Sequence, residues 1–296
     1  MGVKSNKIKS RKDDSVFDIC VTLVMLLILL AVAYPIIIIV SSSFSSANSL
    51  LTGKVRFLPV EPTLEGYKSA LGYSKLWLGM RNSAVYTVLG VLISMFSSIL
   101  AAYPLSRKDL DGNKFISLLF VFTMWFSGGL IPTYLVVKNL HIMNSVFAMI
   151  LPSAVNVFNV IVLRTYFESL PPSLREAALL DGSDDFRYLF TIAVPLSKAS
   201  IAVVAMYYAV SQWNIFMNAY LYIQDNKLQP IQVILRDIIL MSETQEMESM
   251  GQQSSVSNAE LLKYTSVVVS SIPVILIYPL VQKHFVNGIM VGAVKG

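Results

Sequence analysis

Apolar residues in this chain come in runs long enough to cross a lipid bilayer, separated by shorter polar intervals. A hydrocarbon core of roughly 30 Å takes about 20 helical residues. Six segments meet that length: 17 to 40, 81 to 105, 115 to 136, 145 to 166, 199 to 223 and 264 to 282. The pattern predicts an all-α, polytopic membrane protein of about six transmembrane helices, built as one transmembrane domain over 1–296 with its core from 81 to 282. Within the spans, some polar side chains recur at helical spacing. Tyr207, Ser211, Asn214, Asn218 and Tyr222 follow at steps of four, three, four and four, which aligns them on one side of the fifth span. Ser153, Asn156 and Asn159 make a shorter polar face in the fourth, and Asn82, Tyr86, Gly90 and Ser94 a third in the second. Such stripes line a wet path, or they glue helices together at typically about 0.6 kcal/mol per polar contact. The spacing leaves both readings open.

The polar interval 168–198 predicts a structure of its own. Pro171-Pro172 stops the preceding helix, and Ser173 with Glu176 three residues later has the pattern of a capping box. Asp181-Gly182 offers a left-handed exit, Ser183 with Asp184 and Asp185 can cap a further turn, and Pro195 marks the return towards the fifth span. A helix, a glycine bend and a second helix should therefore lie across one membrane face, stiff enough to transmit a push. The interval 224–263 is also too long for a connector, since loops beyond about 12 to 15 residues are usually functional or disordered. Its apolar run from Ile231 to Leu240 predicts a helix.

Composition agrees with a lipid-facing surface: 55% of the 296 residues are hydrophobic and 14% charged, with a mean hydropathy of +0.63. A soluble domain of this length needs many more charges to cover itself. The one cysteine, Cys20, excludes an internal disulfide and the Cys-rich metal patterns. The net charge of +5 is concentrated in Lys4, Lys7, Lys9, Arg11 and Lys12, which makes 1–16 a basic cytoplasmic tail rather than a nucleic-acid site. The first run is too long for a signal peptide and Ser41-Ser42-Ser43-Phe44 is a weak cleavage site, so it should remain as a span. Arg107, Lys108, Lys114, Arg175, Arg187, Lys198, Lys283 and Lys295 then fall on the same side as that tail, which puts both termini, the interval 168–198 and the tail 283–296 in the cytoplasm. Residues 41 to 80, the link around Lys138 and His141, and the interval 224–263 with Glu243, Glu246, Glu248 and Glu260 fall outside.

Absences narrow the chemistry. By these boundaries no Asp or Glu lies in the core of a span, which disfavours a proton- or sodium-coupled transporter. There is no Gly-x-x-x-x-Gly-Lys-Ser/Thr loop to cradle nucleotide phosphates, and His141 and His284 have no nucleophile beside them, so no cofactor and no catalytic residue are expected on this chain. Energy for directional work should come from another chain. Trp125, Phe126 and Trp213 read as packing or interfacial residues, Arg164 as a residue that snorkels to the interface, and Pro35 and Pro273 as kinks.

The order Glu176-Ala177-Ala178, Gly182, Ile192, Pro195 resembles the signature Glu-Ala-Ala-x3-Gly-x9-Ile-x-Leu-Pro of the integral-membrane subunits of binding-protein-dependent ABC importers, with Val194 in place of Leu. Arg81-Asn82-Ser83, Gly128-Gly129-Leu130-Ile131-Pro132, Phe285-Val286-x-Gly288 and Gly292-Ala293-Val294-Lys295-Gly296 extend the similarity over most of the chain and look like the carbohydrate branch, of maltose-type and lipoprotein-associated oligosaccharide systems. The resemblance implies half of a type I importer: a second homologous permease completing a heterodimer, two cytoplasmic ATPase subunits holding ATP and Mg, an extracytoplasmic binding protein and an oligosaccharide substrate. It assigns Glu176, Ala177, Ala178, Asp181 and Gly182 to ATPase coupling, the interval 224–263 to the binding protein and Val291–Gly296 to the ATPase pair. Under it the polar stripes would contact sugar, rings stacking on rings and amides bonding hydroxyls. Two other readings stand beside it: an amphipathic elbow at the lipid headgroups with Glu176 only a helix cap, and a self-sufficient six-helix channel for small polar solutes.

Overall fold

The computed structural model describes residues 12–248 and 253–293, and every regular element in them is helical. In chain order these are α1 (Lys12–Ser43), α2 (Ala47–Leu51), α3 (Glu65–Gly72), α4 (Ser74–Leu105), α5 (Asn113–Trp125), α6 (Leu130–Asn139), α7 (Val146–Ile150) and α8 (Val157–Glu168). There follow α9 (Pro172–Leu180), α10 (Asp185–Tyr188), a π-helical turn over Leu189–Ala193, α11 (Val194–Leu196), α12 (Lys198–Trp213), α13 (Met217–Tyr222), α14 (Ile231–Glu248) and α15 (Gln253–Ala293). The tail cations Lys4, Lys7, Lys9, Arg11 and Lys295 lie outside the described residues, as do the side chains of Lys12, Glu246, Glu248 and 280–293.

Of the six expected spans, three are single helices and three are bent. Phe17–Ser43, Ser74–Leu105 and Asn258–Ile277 are each long and apolar enough to cross a membrane. The others are helix pairs: Asn113–Trp125 with Leu130–Asn139 at 110°, Val146–Ser153 with Val157–Glu168 at 58°, and Lys198–Trp213 with Asp185–Leu196 at 86°, the last helix belonging to the interval 168–198 and not to the expected fifth span. The causes are local. Gly129 breaks the expected helix over 115–136 at φ +85°, a conformation glycine takes without a steric penalty. Pro152 in a 3-10 turn and Asn156, whose side chain caps α8 by accepting from the Asn159 N–H at 3.2 Å, break 145–166. The expected fifth span is interrupted too, because α12 ends at Trp213 and α13 begins at Met217. The sixth begins earlier than 264, at Asn258, and takes in near its start Glu260, buried and paired with Lys263 one turn on.

The described residues form two compact units. One comprises the chain up to Gly72 with Met241–Val268. In it the serine-rich patch is a set of caps: Ser46 caps α2, Ser41 donates to the Phe57 carbonyl at 2.7 Å, and Glu61 accepts from Ser46 at 2.5 Å and Ser49 at 3.1 Å. Gly66 lies so close to Thr265 that a Cβ there would sit 2.8 Å from its methyl.

The second unit, Tyr73–Leu240 with the chain from Val269, holds every candidate coupling and path residue. Its centre is α4, which packs on α8 and α12. Met95, Ile99, Tyr103, Leu163, Phe167, Leu189, Val204 and Tyr208 form one core, and Tyr86, Met149, Ile150, Ala219, Ile223 and Val233 a second.

Candidate coupling surface and polar path

The helix α9 starts one residue before the expected Ser173, at Pro172, and no side chain caps it. Proline at the first helical position is already fixed in φ and lacks an N–H that would go unpaired, so the Ser173–Glu176 box is not needed. The far end is as the residues predict. Gly182 takes φ +77°, its N–H donates to the Leu179 carbonyl at 3.0 Å, and the Ser183 N–H to that of Ala178 at 2.9 Å. This crossed pair is the Schellman stop. Asp184 then caps α10, accepting from the Arg187 N–H at 2.7 Å.

The two alanines have different roles. Ala178 is buried in the first core with Tyr103, Phe167 and Tyr188, so it seats the helix instead of meeting a partner. Glu176, Ala177, Asp181 and Gly182 are exposed. So are the apolar Leu174, Leu179 and Leu180, the last 89% exposed. A polar loop that holds leucine side chains out in this way has an unpaired apolar surface.

A clasp of four charges fastens this loop to the turn after α4. Arg107 pairs with both Asp109 and Asp185, and Arg175 lies 3.5 Å from Asp109 and 3.4 Å from Asp185. The Tyr103 hydroxyl donates to Asp185 at 3.0 Å. The hydrogen bond from Arg107 holds the Asp109 carboxyl at about 2, far below its ordinary range. Partial burial pushes Asp185 up, but Tyr103, Arg107 and Arg175 outweigh it and leave the carboxyl below its ordinary value. Beside the clasp an open groove of about 430 Å³ runs between Leu100, Tyr103, Pro104, Leu110, Phe186 and Leu189. In the sequence Asp185 stood out only as a possible cap, and the pairing of these charges did not show. Arg107 and Arg175 read there only as topology signals, because a clasp between positions 78 residues apart leaves no local pattern.

The three polar faces separate. In the second span, Asn82 donates to the carbonyls of Lys227 at 2.8 Å and Gln229 at 3.0 Å, and the Tyr86 hydroxyl to that of Leu228 at 2.7 Å. Ser83 accepts from the Ile231 N–H at 2.9 Å. These side chains tie down the segment before α14 and are spent on doing so. Gly90 gives room to Gln212, whose side chain lies 2.9 Å from where a Cβ would stand, and Ser94 is buried. In the fourth span Asn159 is buried, Asn156 is exposed, and Ser153 accepts from Gln212 at 3.3 Å. The expected stripe of the fifth span is two pieces. Tyr207 (41% exposed), Ser211 and Asn214 lie open on α12, whereas on α13 Asn218 is half-buried and Tyr222, at 2%, is enclosed against Tyr134. The break at 214–216 displaces α13 from the line that unbroken helical spacing assumes.

Other polar side chains act as structure. Tyr208 bonds Ser98 at 2.6 Å and accepts from the Asn156 N–H at 3.0 Å. Trp213 donates to the Ser270 carbonyl at 3.3 Å. Arg164 is paired with Glu168 at 2.8 Å and donates to Ser117 at 2.8 Å.

Comparison with known proteins places this architecture. The chain is 40% identical over 282 residues, 95% of its length and 98% of the relative's, to the polygalacturonan/rhamnogalacturonan transport system permease protein YtcP of Bacillus subtilis. It is 35% identical to the protein LplC of the same organism, covering 96% of this chain and 97% of that one. A solved bacterial ABC transporter involved in the import of the acidic polysaccharide alginate contains a chain that superposes with a TM-score of 0.83 at 31% identity, over 94% of this chain and 100% of that one. The profile of the binding-protein-dependent transport system inner membrane components matches residues 76–291, a range that starts with α4 and takes in the clasped loop, and the chain belongs to that family.

Proposed function

We propose that this chain is the permease subunit of an ATP-driven carbohydrate importer, forming half of the translocation path and coupled to a separate ATPase. The observation that carries the coupling role is α9 itself: sealed at a glycine, seated on Ala178, clasped through Asp185, and holding Leu180 out of its own fold. Exposed apolar side chains on a rigid element are what a docking surface requires. In this reading 168–198 and both tails are cytoplasmic, and Glu176, Ala177, Asp181 and Gly182 meet the ATPase. ATP and Mg belong to that partner and this subunit is non-catalytic. A second permease completes a heterodimer, and a binding protein delivers the sugar to the side that carries 224–263. The start of α14 in that interval is core, since Ile231, Val233, Ile234 and Ile238 are buried, and the docking role falls to its exposed residues.

The substrate is an oligosaccharide. Relatives named for polygalacturonan/rhamnogalacturonan and for alginate support a chain that bears uronic acids. Tyr207, Ser211, Asn214 and Asn156, exposed on α12 and at the start of α8, are the residues assigned to its path.

Gly182→Arg tests the coupling assignment. No atom lies within 4 Å of a Cβ at this position, so the folded subunit accommodates the side chain at the backbone cost of a left-handed non-glycine, about 1–2 kcal/mol. Membrane insertion should persist while co-purification with the ATPase and uptake are lost. Normal uptake by the variant would remove the assignment.

A further inference from the structure

The break between α12 and α13 has a cation beside it that no role above uses. Non-helical backbone at membrane depth is tolerated where it is buried in protein or lines a water-filled cavity, and broken helices of this kind frame substrate sites in transporters. On α14, Gln232 reaches the first side of the break, donating to the Trp213 carbonyl at 3.4 Å. Arg236, one turn further on, places its guanidinium over the Tyr220 ring at 4.6 Å. Tyr220 is itself stacked on Phe216, with ring centroids 5.7 Å apart, so an aromatic pair rooted at the second side of the break carries the cation.

That arrangement leaves the donor edge available. The one hydrogen-bond acceptor on Arg236 among the described residues is Asp237, its neighbour in sequence, at 3.4 Å with side chains 39% and 45% exposed. Pairs that open and that long contribute little. A guanidinium held over a ring keeps its planar fork preorganised for a carboxylate, where a lysine would present only a point charge. The expected fifth span, 199–223, has no charged residue of its own.

We propose that Arg236, oriented by Tyr220 and Phe216, is the subsite that recognises the carboxylate of a uronic acid residue as the sugar passes the break between α12 and α13. This rests on the importer reading and narrows its substrate to acidic oligosaccharides.

The test is uptake by cells carrying the complete importer, with trigalacturonate and its trimethyl ester as paired probes. Arg236→Gln should lower saturated uptake of the acid relative to the ester about tenfold, the equivalent of one lost hydrogen bond to a charged group. Arg236→Lys, which keeps the charge without the fork, should fall between. Tyr220→Leu, which frees the guanidinium, should shift the ratio in the same direction by less. Equal loss of both probes in Arg236→Gln, an unchanged ratio, or a wild-type importer that carries only neutral oligosaccharides overturns the subsite and leaves the importer standing. Failure of the wild-type complex to carry any oligosaccharide removes both.

Discussion

The loop around α9 and the face of α4 invert the usual placement of side chains in opposite ways. On α9 a leucine stands 89% exposed in a polar segment, whereas on α4 the amide of Asn82 and the hydroxyl of Tyr86 are enclosed in an apolar one. The first has apolar area exposed to solvent; the second has its amide and hydroxyl donors engaged by the carbonyls of 227–229. On the proposed reading, then, polarity does not mark the working residues of this subunit; what marks them is whether the fold itself satisfies the side chain.

The strongest way to break this contrast is Leu180→Asp. Burying a leucine at an interface is worth about 1.5–3 kcal/mol, and an unpaired carboxylate there adds a desolvation cost, so ATPase co-purification and uptake should fall by about a hundredfold or more. Thermal unfolding of the subunit in detergent should move little, because the side chain touches nothing internal. A parallel drop in unfolding temperature would make Leu180 a structural residue.

Next in size is the clasp. Arg107→Ala leaves Asp109 and Asp185 without their main partner, and uptake should drop about tenfold, on the scale of a lost hydrogen bond to a charged group. The readout that separates positioning from folding is ATP hydrolysed per sugar carried, which should rise as the loop loosens. Exchange of the charges in Arg107→Asp with Asp185→Arg should recover part of the coupling, and absence of any recovery together with an unchanged ratio counts against the clasp.

A smaller effect is expected at Asn82→Leu, which strands two carbonyls at a cost of about 1–3 kcal/mol. Stability measured by thermal unfolding should fall while preference among sugars is unchanged; altered preference would return Asn82 to the path. The smallest effect is that of pH. Both clasp carboxyls are held below their ordinary range, so the folded protein binds fewer protons than the unfolded one there, and the clasp contributes fully above about pH 4 and fades towards about 2. ATPase co-purification should therefore show no step from this cluster between pH 5 and 8, and a step there would mean that another group controls docking.

Much of the loop 168–198 was legible because its devices are local. Gly182 as a left-handed stop and Asp184 as a cap each act within four residues, and apolar length captured the membrane-crossing character of the chain because it is a property of the chain itself. The polar stripe misled for the complementary reason: helical spacing from Tyr207 to Tyr222 assumes unbroken backbone, and the interruption after Trp213 removes it. Resemblance identified the signature but not which alanine faces inward.

The order of residues by itself determined a helical, multi-span membrane subunit and a glycine bend in the interval 168–198, since lipid solvation and the conformational limits of proline and glycine act on short stretches. Tertiary structure alone decided which polar groups are consumed by packing, which two arginines close the clasp, and where a guanidinium lies over a ring. Those outcomes depend on partners far apart in the chain, and such pairing leaves no periodic trace.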